Sequence, residues 1–403
     1  MRLIHFTVLL LSAAGPASAQ LTWTPCTMPV NTLTLLALGP NGELVTLLNT
    51  NPAQPRISTD QGQTWTNTPG IGGPNGMLLS DARLHITITG SILVWGTVNG
   101  GGTYGLWRSA DGGNTFSPAA GVPGNRYFMG FSSAPHGDVY VYGEGVLRST
   151  DDGQTWTSIV GANIMLTSLA VNATHIWGVH LNDLYRGDPD GTAFAPIATG
   201  SYAIGNGLGV ARGMNERIIA VGGGDRLITT TDGGLSWQSP TAGITSTLNN
   251  ELQHVAASLG SDTWVTAKQV TVFSTGNGGA PWANAGTGLG FAGNEPIQGI
   301  FCDSTGTFYL YGYFHLYRSG ISTGQNAPEA GAEISVYPVP STGVVWLKDV
   351  PAGIPVQVID LAGRHVRRLM VEHDGLVDLG ALESGRYLLR IGPGPAVPVQ
   401  IQH

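Results

Sequence analysis

One short stretch is written four times along the 403-residue chain, and it limits the fold more than any other feature. The copies are Ser58-Thr59-Asp60-Gln61-Gly62-Gln63-Thr64-Trp65, 109–116, 149–156 and 230–237. Their common pattern is Ser/Thr-x-Asp-x-Gly-x-Thr/Ser-aromatic, carried by Asp60, Gly62 and Trp65; Asp111, Gly113 and Phe116; Asp151, Gly153 and Trp156; and Asp232, Gly234 and Trp237. Each part suits a tight turn between two strands. The Asp carboxylate accepts hydrogen bonds from later backbone N–H groups. The Gly takes a positive φ, and the aromatic opens the next strand. The last interval between copies is about twice the others. A degenerate copy fills it at 184–194, with Asp190, Gly191 and Phe194, and another follows at 274–282 with Asn277 in place of Asp.

The pattern resembles the Asp-box of sialidase-type and photosystem-assembly-factor-type β-propellers. That resemblance implies an all-β ring of four-stranded blades in which the box is a structural turn remote from any active centre. Leu316-Tyr317-Arg318-Ser319 repeats the strand that precedes each box, but no box follows it. The missing strand is expected at the other end of the chain, in Leu21-Thr22-Trp23-Thr24-Pro25. Closing the ring this way removes exposed sheet edges. The count is then seven blades, with six as the alternative, spanning residues 20–323. Composition agrees: 60 Gly, 24 Pro and 11% charged residues suit many short strands and turns. The net charge of −8 argues against a nucleic-acid partner.

Residues 1–19 read as a secretory signal: Arg2, a short apolar run, and Ala17-Ser18-Ala19 before Gln20. No later apolar run is long enough to span a membrane. Export permits a disulfide between Cys26 and Cys302. They lie at the ends of the outer and inner strands of the same blade, which end on opposite sides, whereas a bridge needs Cα atoms within about 7 Å. The pairing stays open at this point.

After a small, polar linker at 324–331, three alternating strand segments stand beside Gly or Pro turns and suggest a small Ig-like β-sandwich over 332–403. Their motif residues are Tyr337, Pro338, Pro340 and Gly343; Asp360, Gly363 and Arg364; and Gly385 and Tyr387. In order and spacing they resemble the C-terminal sorting domain of the type IX secretion system of Bacteroidota. The resemblance implies that the tail is an address read by that machinery at the outer membrane, its cargo then released or surface-attached. Val339 stands where the family usually has Asn, and the last segment has no Lys.

Catalytic signals are few. Sialidase chemistry, which the Asp-box resemblance raises as the enzymatic alternative, needs three converging arginines, a Tyr–Glu pair and an acid. Arg56, Arg108, Arg148, Arg186 and Arg318 read as equivalent repeat positions, which favours structural work, and no Tyr–Glu pair is evident. His175 and His180 have a spacing that puts them on opposite strand faces. No EF-hand, phosphate loop or nucleophile elbow is present, so no cofactor or metal is expected. Polar residues at the starts of inner strands, Arg126, Tyr127, Glu251 and Glu295, are the candidates for a channel mouth. The reading is a secreted or cell-surface, non-catalytic binding or scaffold protein for a glycan or protein ligand.

Overall fold

The computed structural model describes residues 21–48, 50, 53–71, 81–98, 103–199, 209–245, 252–291, 295–321, 336–348, 350, 353–360, 365–372, 375–391 and 396–402. The expected signal segment, the linker, Glu251, Gly363 and Arg364 lie outside them. The fold is all-β. Among the described residues, seven antiparallel sheets follow one another between Leu21 and Ile321, and two more lie beyond Val336.

Six of the seven sheets are meanders of consecutive strands, and the seventh adds a strand from the N-terminal side to three consecutive ones. The first runs Ala37–Leu38, Leu44–Leu48, Gln54–Ser58 and Thr66–Asn67. In the third, Val139–Ser149 is one long strand with Gly143 and Gly145 at φ 157 and 82 in its middle. Phe128–Ser133 pairs with its first half and Thr157–Met165 with its second. The seventh sheet joins both ends of this unit: Leu21–Pro25 pairs antiparallel with Leu316–Ile321, with Trp23 opposite Ser319. A chain segment from the N-terminal side thus covers what would be an open edge.

Strand composition explains the stacking of the sheets. Ile218-Ile219-Ala220-Val221 has no polar alternation, as expected of a strand buried on both faces. Ile218 and Ala220 pack towards the fourth sheet, with Trp177 and Val210. Ile219 and Val221 pack towards the sixth, with Trp264 and Phe273. The same division repeats around the unit, so every pair of consecutive sheets shares one apolar cluster. Leu44 of the first sheet meets Tyr309, Tyr311 and Leu316 of the seventh. The large aromatics Trp95, Tyr140, Trp177, Trp264 and Tyr309 fill these layers and are almost wholly buried. Each contributes an apolar burial of about 2–3 kcal/mol.

Beyond Val336 the two sheets are ordered Val336–Tyr337, Val344–Leu347, Leu376–Asp378 and His365–Met370, Pro355–Asp360, Gly385–Ile391, Ala396–Ile401. Val345, Leu347 and Val377 of one face Val356, Val358, Leu389 and Val399 of the other across a single core, the arrangement of a β-sandwich. Tyr387 donates its hydroxyl to Glu383 O, and the Ser341 hydroxyl accepts from Gly343 N beside Pro340.

Candidate functional site

The repeated turns have one hydrogen-bond plan. Ser58 Oγ donates to Asp60 Oδ1 at 2.7 Å and accepts from Gly62 N at 2.8 Å, while Thr64 N and Oγ1 donate to the carboxylate at 2.9 and 2.6 Å. The turns at Asp111, Asp151 and Asp232 repeat these bonds with their own hydroxyl residues. Side-chain and backbone bonds from Thr64, Thr115 and Ser236 hold Asp60, Asp111 and Asp232 at pKa values of about 2. Burial opposes ionisation of Asp151, and the Thr155 bonds overcome it, leaving its pKa lowered. In the sixth sheet Thr275 Oγ1 donates to Asn277 Oδ1 at 2.5 Å, so an uncharged oxygen holds the same place.

The arginines before these turns reach across to the next sheet. Arg108 donates to the carbonyl and carboxylate of Asp152, at 2.6 and 2.5 Å. Arg186 donates to Gly233 O, and Arg318 to Gln61 Oε1 at 2.5 Å. Asp152, Gly233 and Gln61 each directly follow the turn Asp. Arg217, which lies just before the strand Ile218–Gly222, reaches Gly278 O, the residue after Asn277, at 2.8 Å. Arg148 instead bonds Asp138 in its own sheet.

Arg56 departs from the expectation of equivalence. It stands two residues before Ser58, whereas Arg108 stands one before Ser109. A shift of one residue in a strand reverses the face. Ile57 therefore occupies the bridging position, and its Cδ1 sits 2.7 Å from where a Cβ on Gly113 would lie. Arg56 turns towards the seventh sheet, donating through Nε to Asn67 Oδ1 at 2.6 Å and through Nη1 to Pro29 O.

There Arg56 lines an open cleft of about 760 Å3 between the segment that carries the chain from the seventh sheet into the first and the turn at Phe314. Met28, Val30, Leu48 and the 56% exposed ring of Phe314 form its apolar walls. One backbone–backbone bond and one bond from backbone to a side chain fix them. Leu33 N donates to Tyr313 O at 2.7 Å, and Phe314 N donates to Glu295 Oε1 at 2.6 Å.

Of the four candidate mouth residues, Glu295, Tyr127 and Arg126 have partners within the protein. Glu295 is only 4% exposed and also pairs with His315 Nδ1 at 2.6 Å, so it props the Phe314 turn. Tyr127 accepts from Arg83 Nη2 at 2.5 Å, and Arg126 donates to Ser158 at 3.1 Å. His175 bonds Thr174 and His180 bonds Met165 O, so the two histidines have separate partners. Among the described residues, no cluster of His, Cys, Asp and Glu is arranged to hold a metal.

The disulfide is corrected. Both cysteines are free. Cys26 ends the outermost strand of the seventh sheet and Cys302 the innermost, in the order Leu21–Pro25, Leu316–Ile321, Phe308–Tyr311, Gly299–Cys302. Three strand spacings amount to about 14 Å, twice the reach of a disulfide. Cys26 lies against Gln61 O and Leu44 instead, and burial raises its pKa to about 11.

The cleft was not legible in sequence, because it is formed by residues distant along the chain. Its one available signal was the extra residue between Arg56 and Ser58.

No family profile and no curated protein matches this chain. Among solved structures it is similar to YCF48 bound to D1 peptide, with a TM-score of 0.56 at 14% identity over 77% of this chain and 97% of that one. It is similar to streptogramin B lyase at a TM-score of 0.54 and 12% identity, over 76% and 100% of the two chains. An ancestral GH74 enzyme gives 0.52 at 17% identity, over 77% of this chain and 52% of that one. Binding proteins and enzymes stand side by side in this set, so what the likeness shows is a β-propeller fold.

Proposed function

We propose that the chain is a secreted or cell-surface protein in which a seven-bladed Asp-box propeller binds a ligand without catalysis, followed by a type IX sorting domain that directs its export. The observation that carries the binding reading is the cleft at Arg56 and Phe314. Its walls are tied by the Leu33–Tyr313 and Phe314–Glu295 bonds, and the one charged residue lining it is released from the inter-sheet bridging that engages Arg108, Arg186 and Arg318. The cleft sets the apolar side chains of Met28, Val30, Leu48 and Phe314 beside the polar Asn31, Thr32, Thr34 and Arg56, a mixed lining that can offer a ligand both contact area and hydrogen bonds. YCF48, of similar fold, has been seen with a peptide bound, which supports a protein or peptide ligand over a glycan. The signal-like residues 1–19 and the motifs around Tyr337, Asp360 and Gly385 support export.

The test is retention and turnover together. The purified chain is passed over a glycan array scored for both binding and loss of terminal sialic acid, and over immobilised surface proteins of a bacterium that has the type IX machinery. Retention without turnover is expected. Release of sialic acid would overturn the non-catalytic reading.

A further inference from the structure

We infer that the tail unit beyond Val336 clasps the propeller through the outer face of its four-stranded sheet, with Arg368 and Arg390 set against the turns that carry Asn41, Gln61 and Ser304. The clasp is electrostatic and is released by salt. It does not depend on the export reading above.

Strand register makes that face basic. In Pro355–Asp360 and Gly385–Ile391, the side chains of Val356, Val358, Leu389 and Ile391 enter the core of the sandwich. Their alternates face outwards. Gln357 therefore has Arg390 beside it on one neighbouring strand and Arg368 on the other, and Arg386 follows four residues before Arg390 on the same face. Arg368, Arg386 and Arg390 are all exposed. Among the described residues of these three strands, no Asp or Glu shares the face.

The propeller presents the opposite charge on turns that meet where it closes. Asn41 and Ser304 stand in the turns after the innermost strands of the first and seventh sheets, and Gln61 stands in the first repeated turn. Ser304 Oγ donates to Pro40 O at 2.5 Å, which joins the first two turns into one surface. Glu43 and Asp60 belong to these turns, and bonds from Thr64 and Ser58 hold Asp60 ionised at a pKa of about 2. Arg318, a cation nearby, is engaged by Gln61. Asn41, Gln61 and Ser304 line one hollow of about 200 Å3 together with Gln357 and Arg390 of the tail. Burial lowers the pKa of Arg368, and the charge of Glu43 works against that fall. Among the described residues, no apolar cluster has members from both units, which leaves charge and polar contacts to hold the junction. A junction of this polar kind lets two units part.

The test is small-angle scattering of the full chain, paired with amide hydrogen exchange. At about 50 mM salt, where charges act over more than about 10 Å, the chain should be compact. At about 1 M salt the screening length falls to about 3 Å and the clasp should open. The longest dimension should then grow by about 15 Å, the root-mean-square span of a flexible segment as long as the linker at 324–331. Arg390→Glu should give the same growth at low salt, with faster exchange at residues 41–43 and 304–305. Arg368→Glu should act likewise, and combining it with Glu43→Arg should restore the compact form. If Glu43→Arg disturbs its own turn, seen as a lower melting temperature, Arg390→Glu still decides. A longest dimension that ignores both salt and Arg390→Glu would overturn the clasp, as would a chain already extended at low salt. Exchange that quickens only within the tail would overturn it too, because the turns of the propeller would then have lost no partner.

Discussion

Arg318 donates to the side chain of Gln61 at 2.5 Å, and these two residues, 257 positions apart, tie the last sheet to the first. The contact repeats one made at Arg108 and Asp152 and at Arg186 and Gly233. It backs up the closure of the unit, which inside the seventh sheet depends on the non-covalent pairing of Leu21–Pro25 with Leu316–Ile321. Arg318→Ala should therefore destabilise the chain by about 1–2 kcal/mol, the range for a lost charge-assisted hydrogen bond. A double-mutant cycle with Gln61→Ala should recover most of that as coupling. Additive losses would show that the contact is incidental.

The turn carboxylates make stability depend on acid. Hydrogen bonding lowers the folded pKa of Asp60, Asp111 and Asp232 from 3.8 to about 2. Their contribution is complete above the unfolded value and disappears as pH falls from about 4 towards 2. Asn277 shows that an amide oxygen can hold the place. Asp232→Asn should fold and should shrink the loss of melting temperature in that window. A melting profile indistinguishable from the parent's would refute this role.

His85 acts in a higher window. Burial pulls its pKa from 6.5 down to about 4, the charge of Asp152 working against that fall, while its Nε2 meets Ser133 Oγ at 2.7 Å and its ring stacks on Phe131 at 5.6 Å. A base whose folded pKa is lowered stabilises the neutral form, so this contribution is present above pH 6.5 and is lost between 6.5 and 4. His85→Gln should flatten the stability curve over that interval alone. Titration of the imidazole by NMR at an ordinary value would contradict it.

Two glycines repeat a close approach between neighbouring sheets. Gly121 and Gly243 have φ 80 and 97, and a Cβ at either would strike a carbonyl oxygen, of Trp156 and Trp282 respectively. Gly243→Ala should cost about 2 kcal/mol or more, because backbone cannot retreat as a side-chain tip can. Denaturant midpoints would measure it, and a loss below about 0.5 kcal/mol would show that the turn relaxes freely.

The free thiols give a simple chemical check. Two reactive equivalents should appear on unfolding in denaturant without reductant, and reductant should leave the melting temperature unchanged. Both thiols should alkylate slowly in the native state, because burial raises their pKa values, Cys302 most of all. A mass two hydrogens lighter in the non-reduced chain would disprove the assignment.

What the sequence determined by itself was local. The Ser/Thr-x-Asp-x-Gly-x-Thr/Ser turn is closed within seven residues by its own hydroxyls, carboxylate and positive-φ Gly, so its chemistry is readable wherever it is written. The repeat of that turn, with Leu21-Thr22-Trp23 as the missing strand, announced the sheets and their closure. What only the tertiary structure decided was direction. Arg56 and Arg108 look alike in a line of text, yet one residue of register sends the first to the cleft and the second to its neighbour's turn, because strand faces alternate. Cys26 and Cys302 share a sheet and still cannot meet, because two strands lie between them. Glu295 looked like a mouth residue and became the buried prop of Phe314, because the pairing of the seventh sheet's strands brings the approach to Gly299–Cys302 beside the turn at 312–315, twenty residues on.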